Sequence, residues 1–164
     1  SLKPVFDKSG SVTAGNASGL NDGCAAVMVM SKKKAAEMNL EPIARIVSSS
    51  TVGVDPAIMG IGPVNSSLKA LNRAGISIDD LDVIELNEAF SAQSLAVMRD
   101  LNLDVDDNRV NIDGGALAIG HPLGATGARC LMTLTNALIR TNSNRGIVTI
   151  CLGGGNAVGM LIQA

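Results

Sequence analysis

The chain contains one histidine, His121, inside the run Gly114-Gly115-Ala116-Leu117-Ala118-Ile119-Gly120-His121-Pro122-Leu123-Gly124-Ala125-Thr126-Gly127. Proline suits the first position of a helix, so the imidazole sits at a helix mouth, and the flanking glycine removes bulk that would shield the ring. A lone histidine is most often a surface or satisfied core residue; these neighbours instead favour a ring within reach of a substrate or second side chain, as a general base must be. Cys151 ends the apolar run 147–152, just before Gly153-Gly154-Gly155. A free cysteine is commonly a small packing residue. Strand ends in α/β sheets gather sites, however, and glycine N–H groups beside a sulfur can hold a developing oxyanion, an effect worth about 3 kcal/mol in acyl transfer. Asn87 stands in Glu85-Leu86-Asn87-Glu88-Ala89-Phe90, where a strand gives way to a helix. It reads either as a helix cap or as a neutral group that fixes a water or carbonyl. Cys24 and Cys130 read as packing residues. The glycine-rich loop lacks both the Gly-Lys-Ser/Thr ending and the Gly-x-Gly-x-x-Gly spacing of nucleotide motifs.

An alternation of strands and helices must position these groups. Short apolar runs predict strands at 25–30, 43–47, 83–86, 110–112, 147–152 and 157–162, the last two joined by the glycine turn as a hairpin. Helices are expected at 32–39, across Val64, Leu68 and Leu71 up to a stop at Gly75, at 90–101, and along a face with Leu131, Leu134 and Leu138. Ser77 with Asp80 resembles a capping box. The stretch 48–56, rich in Ser, Thr, Gly and Asp, reads as loop. With 18 glycines, two phenylalanines and neither Trp nor Tyr, the core favours close helix-on-sheet packing, an α/β layered fold with a mixed sheet and helices on both faces. Residues 1–40 hold one strand-helix unit, too little to bury its own strand, and are expected to be the remnant of a preceding domain.

The 13 basic and 15 acidic side chains nearly cancel, and the clusters Lys32-Lys33-Lys34 and 104–107 lack the aromatic interleaving of a nucleic-acid site. No apolar run approaches the roughly 18 residues of a membrane span, and the start, Ser1-Leu2-Lys3-Pro4, has no signal-peptide core. A soluble, cytoplasmic protein is expected. Three cysteines and one histidine make neither a disulfide framework nor a zinc set, so no metal is expected.

Four blocks carry a resemblance. Thr13-Ala14-Gly15-Asn16-Ala17-Ser18-Gly19-Leu20-Asn21-Asp22-Gly23, Asn87-Glu88-Ala89-Phe90, the loop from Gly114 through His121 to Arg129, and Cys151-Leu152-Gly153-Gly154-Gly155 resemble, in order, signature blocks of the thiolase family. The match spans essentially the whole chain but well under half of a family member. It implies a reversible Claisen condensation or thiolysis of acyl-coenzyme A thioesters, of the acetyl-CoA acetyltransferase type in lipid metabolism, with 3-ketoacyl-CoA thiolase of fatty-acid degradation as the alternative. It implies that His121 activates an acyl-accepting cysteine and contributes to an oxyanion hole, and that Asn87 positions that hole's water. Cys151 then moves a proton to and from the substrate α-carbon, and the N–H of Gly153 forms one side of a second oxyanion hole. Ser18, Ala17, Ala89 and Phe90 fall where the family contacts coenzyme A, which is a substrate; no permanently bound cofactor is implied. Family members pair two similar layered halves and form homo-oligomers, so residues 41–164 resemble the C-terminal half and 1–40 the end of the N-terminal one.

One departure matters: the family's acylated cysteine belongs to the N-terminal half, and neither Cys24 nor Cys130 lies in a nucleophile context. The 164 residues alone are therefore expected to be inactive and to need an N-terminal half as partner. Two other classes remain open, a cysteine hydrolase with Cys151, His121 and Asn87 as nucleophile, base and orienter, and a non-catalytic assembly module.

Overall fold

The computed structural model describes residues 2–164. Its elements run, in chain order, helix α1 (Lys32–Glu37), strand β1 (Arg45–Gly53), helix α2 (Gly62–Ala74), strand β2 (Val83–Leu86), helices α3 (Ser91–Asp100), α4 (Ala116–Ile119) and α5 (Thr126–Thr141), and strands β3 (Arg145–Leu152) and β4 (Asn156–Gln163). The strands form one mixed sheet in the order β1-β4-β3-β2, with β2 parallel to β3 and the other pairs antiparallel. Alternation along the strands sends side chains to two cores. Ile84, Leu86, Ile147 and Leu161 meet Ala70 and Leu71 of α2 and Val97 and Met98 of α3. Val83, Val148, Ile150 and Ile162 meet Cys130, Leu134, Ala137 and Leu138 of α5. Helices thus cover both faces of a mixed sheet, as the sequence predicts.

Local signals behave as their chemistry requires. Gly75 caps α2 at φ 69°, and the Ser77 N–H and hydroxyl both donate to Asp80 in the predicted capping box. Gly153–Gly155 turns β3 back into β4; a side chain at Gly155 would meet the Val54 carbonyl oxygen at 2.2 Å, so only glycine fits.

Several expectations need correction. Residues 25–30 are not a strand: no described strand lies alongside them, and Val27, Met28 and Val29 face outward. A strand without a neighbour leaves its backbone unpaired. β1, by contrast, runs through the serines that read as loop, because α2 supplies acceptors: Ser48 donates to the Ala70 carbonyl at 2.7 Å and Ser50 to that of Ser66 at 2.6 Å. Leu68 is half exposed, and α2 instead buries Pro63, Ser66, Ser67, Ala70 and Leu71. That small-residue face lets the helix lie close on β4, where a side chain at Gly159 would strike the Ser66 carbonyl. Segment 110–112 contributes a single parallel bridge, Val110 to Ile84, rather than a strand. Cys24 is exposed rather than packed, whereas Cys130 is buried. No helix among the described residues is long and apolar enough to cross a membrane.

Candidate active site

The ends of parallel β2 and β3 bring the first two groups together. The Asn87 N–H donates to the Thr149 carbonyl at 3.1 Å, extending the β2–β3 ladder by one residue, so Asn87 lies beside the strand that carries Cys151. Gly153 follows at the exposed start of the turn. Burial pushes the Cys151 thiol above its ordinary pKa, outweighing a hydrogen bond with its own backbone that acts the other way. It is therefore a protonated thiol at rest. Once deprotonated it is a stronger base than a solvated thiolate.

His121 is set by its loop and by α5. The His121 Nδ1 lies 2.7 Å from Thr126 Oγ1, which itself donates to the Pro122 carbonyl at 3.0 Å. A hydroxyl has one hydrogen. Since Thr126 gives it to Pro122, the contact with His121 requires an Nδ1–H donor, leaving Nε2 bare to accept a proton. Burial holds the His121 pKa below its ordinary 6.5, and the Arg129 guanidinium pushes it the same way. The ring is a neutral base at pH 7.

Residues 16–21 strap the two loops together. Ala17 bridges Phe90 in antiparallel fashion, and the Ser18 N–H and hydroxyl both donate to the Ala89 carbonyl, at 3.0 and 3.1 Å. Leu20 bridges His121, whose N–H donates to the Gly19 carbonyl at 2.9 Å and to Asn21 Oδ1 at 3.2 Å. Gly120, at φ 94°, must be glycine because a side chain there would overlap Asn21 Oδ1 at 2.1 Å. The four residues expected at coenzyme A thus form one patch, and the segment read as a remnant packs directly on the His121 loop.

Several supporting residues escape the motif reading. Asn111, at φ 49°, accepts from the Leu86 N–H and donates to the Leu86 carbonyl and to Glu88, each at 2.9 Å. Glu88 also accepts from the Leu117 N–H at 3.2 Å and so ties the Asn87 loop to the glycine-rich loop. Asn87 Oδ1 accepts from Arg129 at 3.3 Å, and Arg129 lies 3.7 Å from the carboxylate of Glu85. Glu85 is legible as a charge inside an apolar strand. The Arg129 contact pairs positions 42 residues apart and has no local signal.

Burial pushes Glu85 up to about 7, opposed by Arg129 and reinforced by Asp113 and Glu88. A carboxyl raised from 4.5 in the unfolded chain binds its proton more tightly when folded. Its stabilising contribution is full below pH 4.5 and is lost as pH rises through 7, a change on the order of 3 kcal/mol. Melting the chain and Glu85→Gln at pH 5 and pH 8 tests this. The variant's stability should vary less with pH than the unmutated chain's; equal pH dependence would contradict a buried carboxyl.

The hydrolase constellation is not formed. It needs Asn87 to orient His121, but Thr126 does so, and a thiol with a raised pKa is a poor resting nucleophile. Among the described residues no group of three His, Cys, Asp or Glu converges as a metal site.

Comparison with known proteins identifies the family. Residues 40–164 match the family model of the thiolase C-terminal domain and residues 1–33 that of the thiolase N-terminal domain. The chain is 53% identical to acetyl-CoA acetyltransferase of Syntrophomonas wolfei, over 99% of this chain and 41% of that protein. It is 56% identical to the same-named protein of Pseudomonas aeruginosa, over 98% and 40%. The crystal structure of Bacillus anthracis acetyl-CoA acetyltransferase superposes with a TM-score of 0.95 at 51% identity, covering 99% of this chain and 41% of that one. Human mitochondrial 3-ketoacyl-CoA thiolase in complex with CoA superposes at 0.90 and 42% identity, with the same coverage. The chain spans about two fifths of the length of these relatives. It belongs to the thiolase family.

Proposed function

We propose that this chain is the C-terminal part of a thiolase that interconverts two acetyl-CoA with acetoacetyl-CoA and CoA, residues 1–40 completing an N-terminal domain and 41–164 forming the C-terminal one. The observation that carries the reading is the 2.7 Å contact of His121 Nδ1 with Thr126 Oγ1, which leaves Nε2 free, on a loop tied through Glu88 and residues 16–21 to the strand ends that bear Asn87 and Cys151. His121 takes the proton of the acyl-accepting thiol, supplied by an N-terminal half, and that sulfur attacks the first thioester while CoA leaves. The departed CoA thiolate takes the Cys151 proton, and the Cys151 thiolate so formed then removes an α-proton from the second acetyl-CoA. The resulting carbanion forms the C–C bond at the acyl carbon, and the enzyme sulfur departs and recovers its proton from His121. A water held by Asn87 and the Gly153 N–H stabilise the enolate and tetrahedral oxyanions, without which the α-proton is too weakly acidic to move. Ala17, Ser18, Ala89 and Phe90 hold coenzyme A. The names of the most similar relatives favour the acetyl-CoA type over longer-chain 3-ketoacyl-CoA substrates.

Mixing the chain with a separately made N-terminal thiolase half and following acetoacetyl-CoA formation tests this. Product is expected from the mixture and not from the chain alone; two folded, associated halves that stay silent would argue against it. Within the active mixture, Thr126→Val keeps the shape but removes the acceptor that fixes the His121 tautomer. A kcat loss of about tenfold at little-changed KM is expected, the scale of one hydrogen bond; full activity would show that the tautomer is set otherwise.

A further inference from the structure

Asn87 is 1% exposed, and its Nδ2 has no hydrogen-bond partner among the described residues. A buried amide nitrogen left without a partner costs free energy, so its orientation has to be enforced by something stronger. An amide can flip, and a flip would exchange the donor for the carbonyl oxygen at the same point. One contact forbids it: Arg129 Nη2, which can only donate, holds Oδ1 at 3.3 Å. Arg129 is itself poorly satisfied. Its Nε and Nη1 make no hydrogen bond among the described residues, and its charge is met by Glu85, 1% exposed, whose other oxygen is also without a partner. Buried ion pairs of this quality contribute little to stability, and apolar replacements commonly serve as well. Their placement fits another role. Arg129 stands three positions after Thr126 on α5, so one helix edge orients Asn87 through Arg129 and His121 through Thr126.

We propose that Arg129, clamped by Glu85, is a positioning residue of the reaction: it fixes the Asn87 amide so that Nδ2, and not Oδ1, faces the water that meets the reacting oxygen. The inference rests on the thiolase reading for its catalytic consequence, and on geometry alone for the amide's orientation. Arg129 touches no substrate and acts through Asn87.

The test is a double-mutant cycle in the assembled enzyme, this chain with an N-terminal thiolase half, joined to a measurement that needs no turnover. Arg129→Gln and Asn87→Ala are each expected to lower kcat by about 10- to 100-fold with KM changed less than about threefold, and the double variant should be no slower than Asn87→Ala. Arg129→Lys, which keeps a cationic donor, should recover part of the loss. Losses that multiply, or an Arg129→Gln enzyme with full kcat, would overturn the proposal. If Arg129→Gln does not fold, Glu85→Gln with Arg129→Met removes both ionisable groups and should fold yet stay slow; full kcat there also overturns it. Independently, in the asparagine-¹⁵N-labelled chain, the side-chain amide resonance missing from Asn87→Ala identifies Asn87. That resonance should shift in Arg129→Gln and in Arg129→Met paired with Glu85→Gln; an unmoved resonance overturns the proposal even if no variant turns over. An inactive unmutated assembly with a shifted resonance would instead sink the thiolase reading and leave the positioning contact standing.

Discussion

His121→Asn, combined with an N-terminal thiolase half, is expected to lower formation of the acyl-enzyme by about 10²- to 10⁴-fold, the contribution of a well-placed general base. Asparagine keeps a polar group in the loop but cannot take a proton at pH 7, so folding and association should persist while acylation fails. The unmutated protein's pH profile carries the same signature. With the His121 pKa held below 6.5 by burial and by Arg129, the base stays neutral as pH falls toward that value. The acid limb of the acylation rate should therefore lie below the limb of an ordinary histidine. A limb above pH 6.5 would mean that the imidazolium is favoured, contrary to its surroundings.

Cys151→Ala is expected to separate the two half-reactions. Acylation of the partner's cysteine does not need Cys151, so it should proceed within a few-fold of the unmutated rate. Condensation and thiolysis, which need a proton moved at the α-carbon, should fall by about 10²- to 10⁴-fold. Stopped transfer with intact acylation distinguishes a proton-moving thiol from a nucleophile. Loss of acylation in Cys151→Ala would assign the sulfur to the first step and contradict the division of labour. The separation reflects two environments. His121 is a neutral imidazole on the loop that leads into α5, whereas Cys151 sits 6% exposed at a strand end, where burial makes its thiolate basic enough for a carbon acid.

Much of the fold was legible because its signals are local. The capping box at Ser77, the Gly75 stop, the apolar 147–152 run and the glycine hairpin each act within a few residues, and each stands as read. The misreadings share a cause. β1 is a strand through serines because α2 carbonyls lie over it, and 25–30 is not a strand because no neighbour pairs with it; both depend on contacts far along the chain. The chemistry-bearing residues were conspicuous as a single histidine and a cysteine before three glycines. Thr126, Arg129, Glu88, Asn111 and Asn21 were not, since their roles appear only when distant loops meet. Asn21, for instance, reaches across 100 positions to the His121 backbone.

The central claim, that these residues form a thiolase half-site whose acylated thiol lies elsewhere, is tested most directly by intact mass after exposure to acetyl-CoA. The chain should stay at its own mass when alone. Mixed with an N-terminal thiolase half, the acetyl group should appear on that half only, with acetoacetyl-CoA forming. Acetylation of Cys151 in the chain alone would contradict the account and restore a nucleophilic role for that cysteine.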